Sequence, residues 1–254
     1  MQNIVSVIRG GTKLAPLIDP ILTVSDLHAG YDGAPVVFGV SLQVMPGELV
    51  AIVGANGAGK TTTMRSICGL IHPLKGRILF EGHDISEMPA HEILKLGISY
   101  VPEGRRIFGK LSVRKNLYLG AYTEKSHIEV KRRMEELFEI FPVLRARANQ
   151  VAETLSGGEQ QMLAIARGLI SKPKLLMLDE MSLGLMPTMV EKMMATITSI
   201  NRAGATVLLV EQMVQEALEI AHRGYVIQNG KIIQQGSASQ LMDSEEVRKA
   251  YLGM

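Results

Sequence analysis

The sequence predicts an α/β domain built on a parallel sheet, with a helical segment inserted in it. Three features carry that prediction. The run Leu49-Val50-Ala51-Ile52-Val53 is continuously apolar, as for a strand buried on both faces, and passes through a glycine-rich loop into an amphipathic stretch from Lys60 through Thr63, Met64 and Ile67. Downstream, strand and helix patterns alternate: residues 175–178, 187–201 and 206–210. Between these two parts, residues 113–144 turn helical, with Val130, Met134, Leu137, Phe138 and Phe141 recurring at three- and four-residue spacing.

The remaining elements follow in order. Residues 21–27 and 36–44 read as strands separated by the turn Tyr31-Asp32-Gly33, and Pro46-Gly47 leads into the glycine-loop strand. Residues 77–82 form a short strand closed by Gly82, and residues 98–101 a strand stopped by Pro102. Residues 225–233 are a hairpin, because Asn229-Gly230 suits the positive φ values of a tight turn. The 254 residues suffice for one large domain with a small insertion. Residues 1–20, too short and too soon broken by Arg9-Gly10-Gly11 for a secretory signal, are expected to be a poorly ordered extension ahead of a domain over residues 21–254. No stretch reaches the roughly 20 apolar residues of a membrane span. Cys68 is a lone cysteine on the apolar face of the helix after the glycine loop, so no internal disulfide forms and a reducing compartment is compatible. The net charge of +2 makes no case for nucleic acid.

The chemistry begins at Gly54-Ala55-Asn56-Gly57-Ala58-Gly59-Lys60-Thr61-Thr62, which meets every fixed position of the phosphate-binding loop between a strand and a helix. Glycines let backbone N–H groups curl inward, and the helix amino end adds partial positive charge. Lys60 is placed to reach the β- and γ-phosphates and Thr61 to ligate Mg²⁺; the chain is expected to bind a nucleoside triphosphate. A second apolar run ends in Asp179-Glu180. A buried strand thus delivers two carboxylates at its carboxyl end, one to support Mg²⁺ and the next to orient or deprotonate water. A third motif, Leu155-Ser156-Gly157-Gly158-Glu159-Gln160-Gln161, opens an apolar-faced helix with Met162, Ile165, Ala166 and Leu169.

Those seven residues, with the phosphate loop before them and Asp179-Glu180 after, resemble the ATP-binding cassette (ABC) proteins from Ile21 onward. The resemblance implies a P-loop NTPase fold with a RecA-like parallel-sheet core, an antiparallel β subdomain and an inserted helical subdomain over about residues 104–170. It implies ATP and Mg²⁺ as ligands, and a head-to-tail dimer in which Ser156, Gly157, Gly158 and Gln160 contact ATP held by the second subunit. Tyr31 falls where the family stacks adenine, and Glu103 at a position, usually glutamine, that faces Mg²⁺ beside Thr61 and Asp179. Gln212 falls where a switch histidine usually senses the γ-phosphate, and Glu180 is the water-activating carboxylate.

Glu103, Gln212 and the run Ser182-Leu183-Gly184-Leu185-Met186-Pro187 are similar to the shorter ATP-binding subunit of branched-chain amino-acid importers. That likeness implies integral membrane permease subunits, an extracytoplasmic solute-binding protein reached through them, and a peripheral place on the cytoplasmic face of the cell membrane. A urea or amide importer shares Ser-Leu-Gly-Leu and is the alternative. A cassette acting on DNA or ribosomes usually has two cassettes or a long coiled-coil insertion, and this chain shows neither; a non-hydrolysing cassette would have degenerate motifs. Met181 replaces the proline expected after the catalytic glutamate and removes a φ restraint there. Gln212 offers an amide donor but cannot titrate as a histidine does near about pH 6.5. Glu103, within about 4 Å of a phosphate oxygen, would be repelled by about 4 kcal/mol at an effective dielectric of 20, so it needs a cation, for which Arg105 and Arg106 are candidates. The basic stretch Arg105, Arg106, Lys110, Arg114 and Lys115 lacks interleaved aromatics and reads as a solvated face rather than a nucleic-acid site. Met186, Met189, Met193 and Met194 read as helix packing.

Overall fold

A computed structural model describes residues 19–252; the expected extension lies almost wholly outside them. Among the described residues ten strands form two sheets. The first is antiparallel, in the order β2-β1-β4-β5, from β1 (Leu22–Tyr31), β2 (Ala34–Val44), β4 (Lys75–Phe80) and the two-residue β5 (His83–Asp84). The second runs β10-β9-β3-β8-β7-β6, from β3 (Leu49–Val53), β6 (Ile98–Val101), β7 (Leu175–Asp179), β8 (Thr206–Glu211), β9 (Arg223–Gln228) and β10 (Lys231–Ser237). All its strands are parallel except β10, which returns antiparallel along β9.

Pleating divides the parallel strands between two cores. Leu49, Ala51 and Val53 of β3 join Leu176, Leu178, Val207 and Leu209 beneath one helical layer, while Val50 and Ile52 join Leu175, Met177, Leu208 and Val210 toward the antiparallel sheet. On that second side lie α1 (Lys60–Ile67) and α2 (Ala90–Leu96). Between β6 and β7 come α3 (Val113–Gly120), α4 (His127–Ile140), α5 (Pro142–Ala146) and α6 (Gly157–Leu169); α7 (Pro187–Arg202) and α8 (Val214–Ile220) flank β8. After β10 come α9 (Ala238–Asp243) and the single turn α10 (Glu245–Val247), and a π-helical turn over Arg248–Leu252 ends the described residues.

The predicted helical stretch 113–144 is three helices. The side chain of Ser112 caps α3 and that of Ser126 caps α4, so the residues between them leave the helical path, and Pro142 starts α5 because it cannot donate into α4. The expected hairpin is present, with Asn229 at φ +48° and Gly230 at φ +76°. It does more than join β9 to β10. The Gly230 N–H donates to the Ala58 carbonyl at 2.9 Å and its carbonyl accepts from Phe38 N–H at 2.8 Å, so one turn braces the phosphate loop against the antiparallel sheet.

Candidate active site

The loop between β3 and α1 is shaped by close approach. A Cβ added at Gly54 would lie 2.2 Å from the Ile227 carbonyl oxygen, and Gly57 and Gly59 hold φ of +77° and +106°. Ala55, Asn56 and Gly57 form an exposed rim, whereas Ala58, Gly59, Lys60 and Thr62 are buried. Lys60 is 3% exposed and fully engaged. Its Nζ donates to the Gly54 carbonyl at 2.9 Å and the Ala55 carbonyl at 3.1 Å, and pairs with Glu180 Oε1 at 3.1 Å. A buried ammonium beneath a glycine rim at a helix amino end suits a polyanion, whose oxygens would compete with Glu180 for that charge.

β7 meets the loop from two strands away, across the end of β8. Thr61 Oγ1 donates to Asp179 Oδ1 at 3.1 Å, and the Tyr100 hydroxyl, from β6, donates to Oδ2 at 2.7 Å. Asp179 is wholly buried. Burial pushes its carboxyl above the ordinary carboxylate range, the nearby charges of Glu180 and Glu103 push the same way, and the two hydroxyl donors act against them. A hydroxyl beside a carboxylate carrying surplus negative charge is a donor set that fits Mg²⁺, which favours hard oxygens and takes the rest of its shell from water and phosphate. Among the described residues there is no group of three or more His, Cys, Asp or Glu that could hold a metal ion.

Glu180 follows β7 with φ +51°, a left-handed value costly for a non-glycine residue, and its N–H is held by the Val210 carbonyl at 2.9 Å. Met181 takes the place of the missing proline restraint by packing. It is fully buried, and its sulfur accepts a bond from the Gln161 amide of α6. Gln212 is exposed just past β8. Tyr31 ends β1 before the Asp32-Gly33 turn; its hydroxyl accepts from Arg65 Nη1 at 3.1 Å and contacts Thr62 Oγ1 at 3.5 Å, while the ring, 42% exposed, is open to a stacking partner.

Glu103 is exposed after β6 and close enough to act on Asp179. Among the described residues neither arginine offered as its counter-ion forms an ion pair with it. Gly104, Arg105 and Arg106 are consecutive left-handed residues, at φ +81°, +66° and +41°. That twist sends the Arg105 guanidinium to Gln160 Oε1 at 3.4 Å, over Gly157, and leaves the Arg106 carbonyl to accept from Arg167 at 2.7 Å. A cavity of about 390 Å³ opens between residues 104–107, Gln160, Gln161, Glu180 and Leu183.

Ser156 caps α6 in a capping box: its hydroxyl accepts from Glu159 N–H at 3.4 Å and its N–H donates to Glu159 Oε2 at 2.9 Å. Gly158 admits the Met189 side chain, and Gln160 donates back to the Leu155 carbonyl at 3.1 Å. The structure therefore gathers Lys60, Thr61, Asp179 and Glu180, with Tyr31, Glu103 and Gln212 around them. Ser156, Gly157 and Gly158 belong to another element, at the start of α6. α6 packs on α3, α5, β6 and β7, α1 on β1, β2 and β7, and among the described residues no hydrogen bond joins these three to the phosphate loop. Sequence reasoning missed Tyr100, Gln161 and Glu211. For Glu211 a signal existed: a charged residue directly prolonging the apolar run 206–210.

Comparison with known proteins is consistent with this geometry. The sequence profile of the family described as ABC transporter matches residues 37–182. The chain is 46% identical over 215 residues to the high-affinity branched-chain amino acid transport ATP-binding protein BraG of Pseudomonas aeruginosa, covering 84% of this chain and 91% of that one. It is 39% identical to the probable branched-chain amino acid transport ATP-binding protein LivF of Archaeoglobus fulgidus (90% and 97% covered) and 38% identical to the lipopolysaccharide export system ATP-binding protein LptB of Haemophilus influenzae (92% and 97% covered). Among solved structures, the ADP conformation of the cassette MJ1267 superposes with a TM-score of 0.82 at 24% identity, over 93% of this chain and 100% of that one, a likeness of fold. The cbiO1 subunit of Clostridium perfringens superposes with a TM-score of 0.80 at 28% identity, over 92% and 95%.

Proposed function

The chain belongs to the ABC transporter family as an ATP-hydrolysing subunit, and from that premise we propose that it energises uptake of branched-chain amino acids through separate permease subunits. The observation that carries the cargo is the 46% identity to BraG across 84% of the chain. Among the described residues no helix is long and apolar enough to cross a membrane. The proposal places the subunit on the inner face of that membrane, with an extracytoplasmic solute-binding protein feeding the permease.

In the proposed mechanism Lys60 and the N–H groups of residues 54–62 hold the triphosphate, and Tyr31 stacks on adenine. Bound Mg²⁺, held by Thr61 and Asp179 with Glu103 nearby, would offset phosphate charge. Glu180 orients water and takes its proton on a carboxylate oxygen. Gln212 donates its amide to the γ-phosphate, and Ser156, Gly157, Gly158 and Gln160 close over the nucleotide of a second cassette subunit.

The test is uptake of labelled leucine, isoleucine and valine by cells lacking this chain. Uptake should fall and return with the wild-type chain but not with Glu180→Gln, which should retain bound ATP without hydrolysing it. Unchanged uptake of all three, with ATP turnover intact in the purified chain, would reject the cargo and move the assignment toward amides or toward the kind of system named for the LptB relatives.

A further inference from the structure

β8 ends on Glu211, one residue before Gln212, and this carboxylate is fully buried. Both its oxygens serve one residue: Ser182 donates its backbone N–H to Oε1 at 3.0 Å and its hydroxyl to Oε2. Ser182 lies two residues beyond Glu180, whose own N–H is held by Val210 at 2.9 Å. Successive residues of β8 therefore grip both ends of the turn 180–182, while Met181 is locked in the core between them. A turn with a left-handed glutamate at its start persists only when its surroundings over-determine it.

We propose that Glu211 is a positioning residue for hydrolysis: its carboxylate fixes Ser182 and, through the backbone of the turn, the aim of the Glu180 side chain. This rests on Glu180 being the group that activates water. The charge that acts on Glu211 is that of Glu180, which is paired to Lys60 at 3.1 Å; Asp179 on β7 is bonded to Thr61 and Tyr100, and β3 presents Val53 opposite Glu211. Burial raises the Glu211 carboxyl to about 7, the Glu180 charge adds to this, and the Ser182 bonds oppose it. Ionised, Glu211 accepts both Ser182 donors; protonated, one oxygen carries a hydrogen and the grip loosens.

Phosphate release from Mg-ATP by the full purified chain, measured from about pH 6 to about pH 8, tests this. Wild-type kcat should rise with pH through about 7. Glu211→Ala should lower kcat about tenfold with KM for ATP within about twofold, as expected for lost alignment rather than lost binding. Glu211→Gln should keep intermediate activity and lose the rise. Ser182→Ala, which removes a bond that favours the ionised form, should move the rise to higher pH, a shift that a purely structural role would not produce. A kcat for Glu211→Ala within about twofold of wild type, or a rise that persists in Glu211→Gln, overturns the proposal. If Glu211→Ala does not fold, the Gln and Ser182 variants decide by the same criteria. Glu180→Gln runs alongside: full turnover there removes Glu180 from its role and is a separate failure, read without reference to position 211.

Discussion

Glu211 and Gln212 exchange the roles that their positions suggest. The switch position is exposed and carries an amide, so it contributes no titration, whereas its buried neighbour has a carboxyl raised to about 7 from the ordinary 4.5 by desolvation. The folded chain binds that proton more tightly than the unfolded chain. The contribution of this group to stability is therefore greatest below about 4.5, falls as pH rises from there to about 7, and is level above; the upper bound is about 3 kcal/mol at about 1.4 kcal/mol per pH unit. The melting temperature of Glu211→Gln should rise relative to wild type across that interval. A constant difference from about pH 5 to about pH 8 would show that the carboxyl does not titrate there. In the Glu211→Gln background, adding Gln212→His should restore a step in the turnover profile near about 6.5, from the imidazole alone; a flat profile would show that position 212 does not reach the phosphate. Lys60, Thr61, Asp179 and Glu180 were legible in sequence because their spacing is set by one loop and one strand end. Tyr100 was not, and for Glu211 the charge at the end of an apolar run was visible but not its role, because their partners lie 79 and 29 residues away and meet them only through strand order.

At the scale of elements, legibility tracked length and burial. β3, β7 and β8 are apolar runs without interruption and were located nearly to their ends, and α7, with Pro187 at its first turn, was placed to within a residue. α2 and α8, each of seven residues, carry too few turns for a period to register. The inserted helices show another limit: their pattern reveals an apolar face but not which neighbour sets the distance. Here it is a glycine. A Cβ on Gly120, at the end of α3, would lie 2.3 Å from the Arg167 carbonyl oxygen of α6, where backbone cannot yield as a side-chain tip would. Gly120→Ala should therefore push α3 from α6 and cost about 1–3 kcal/mol, despite the better helix propensity of alanine. Thermal or denaturant unfolding measures it, and a variant as stable as wild type would mean that the crossing is looser than the distance implies.

For the whole molecule, the separation of two anion-suited helix ends is the deciding feature. The amino end of α1 belongs with Asp179 and Glu180, while the capped start of α6 sits with Arg105, Glu159 and Met189, and among the described residues no hydrogen bond joins Ser156, Gly157 or Gly158 to the phosphate loop. If two copies pair head to tail, each site takes its phosphate loop from one chain and its Ser156 from the other, and this arrangement has a consequence no cis site shares. Lys60→Ala removes the buried ammonium. Ser156→Asp keeps a good helix cap but sets a negative charge where a phosphate would lie. Each variant alone damages both sites of its homodimer. Mixed, they form heterodimers in which both defects fall in the same site, and the other site is built wholly from unaltered residues. Equal mixing should then recover about a quarter of wild-type turnover, since about half the dimers are mixed and each has one sound site. Both substitutions placed in one chain and mixed equally with wild type should damage both sites of every mixed dimer, leaving about a quarter of the turnover from wild-type pairs alone. With sites built in cis that second mixture would keep about half, and the mixed single variants would recover nothing, so a mixture of the single variants no more active than either alone would exclude a head-to-tail pair of this chain.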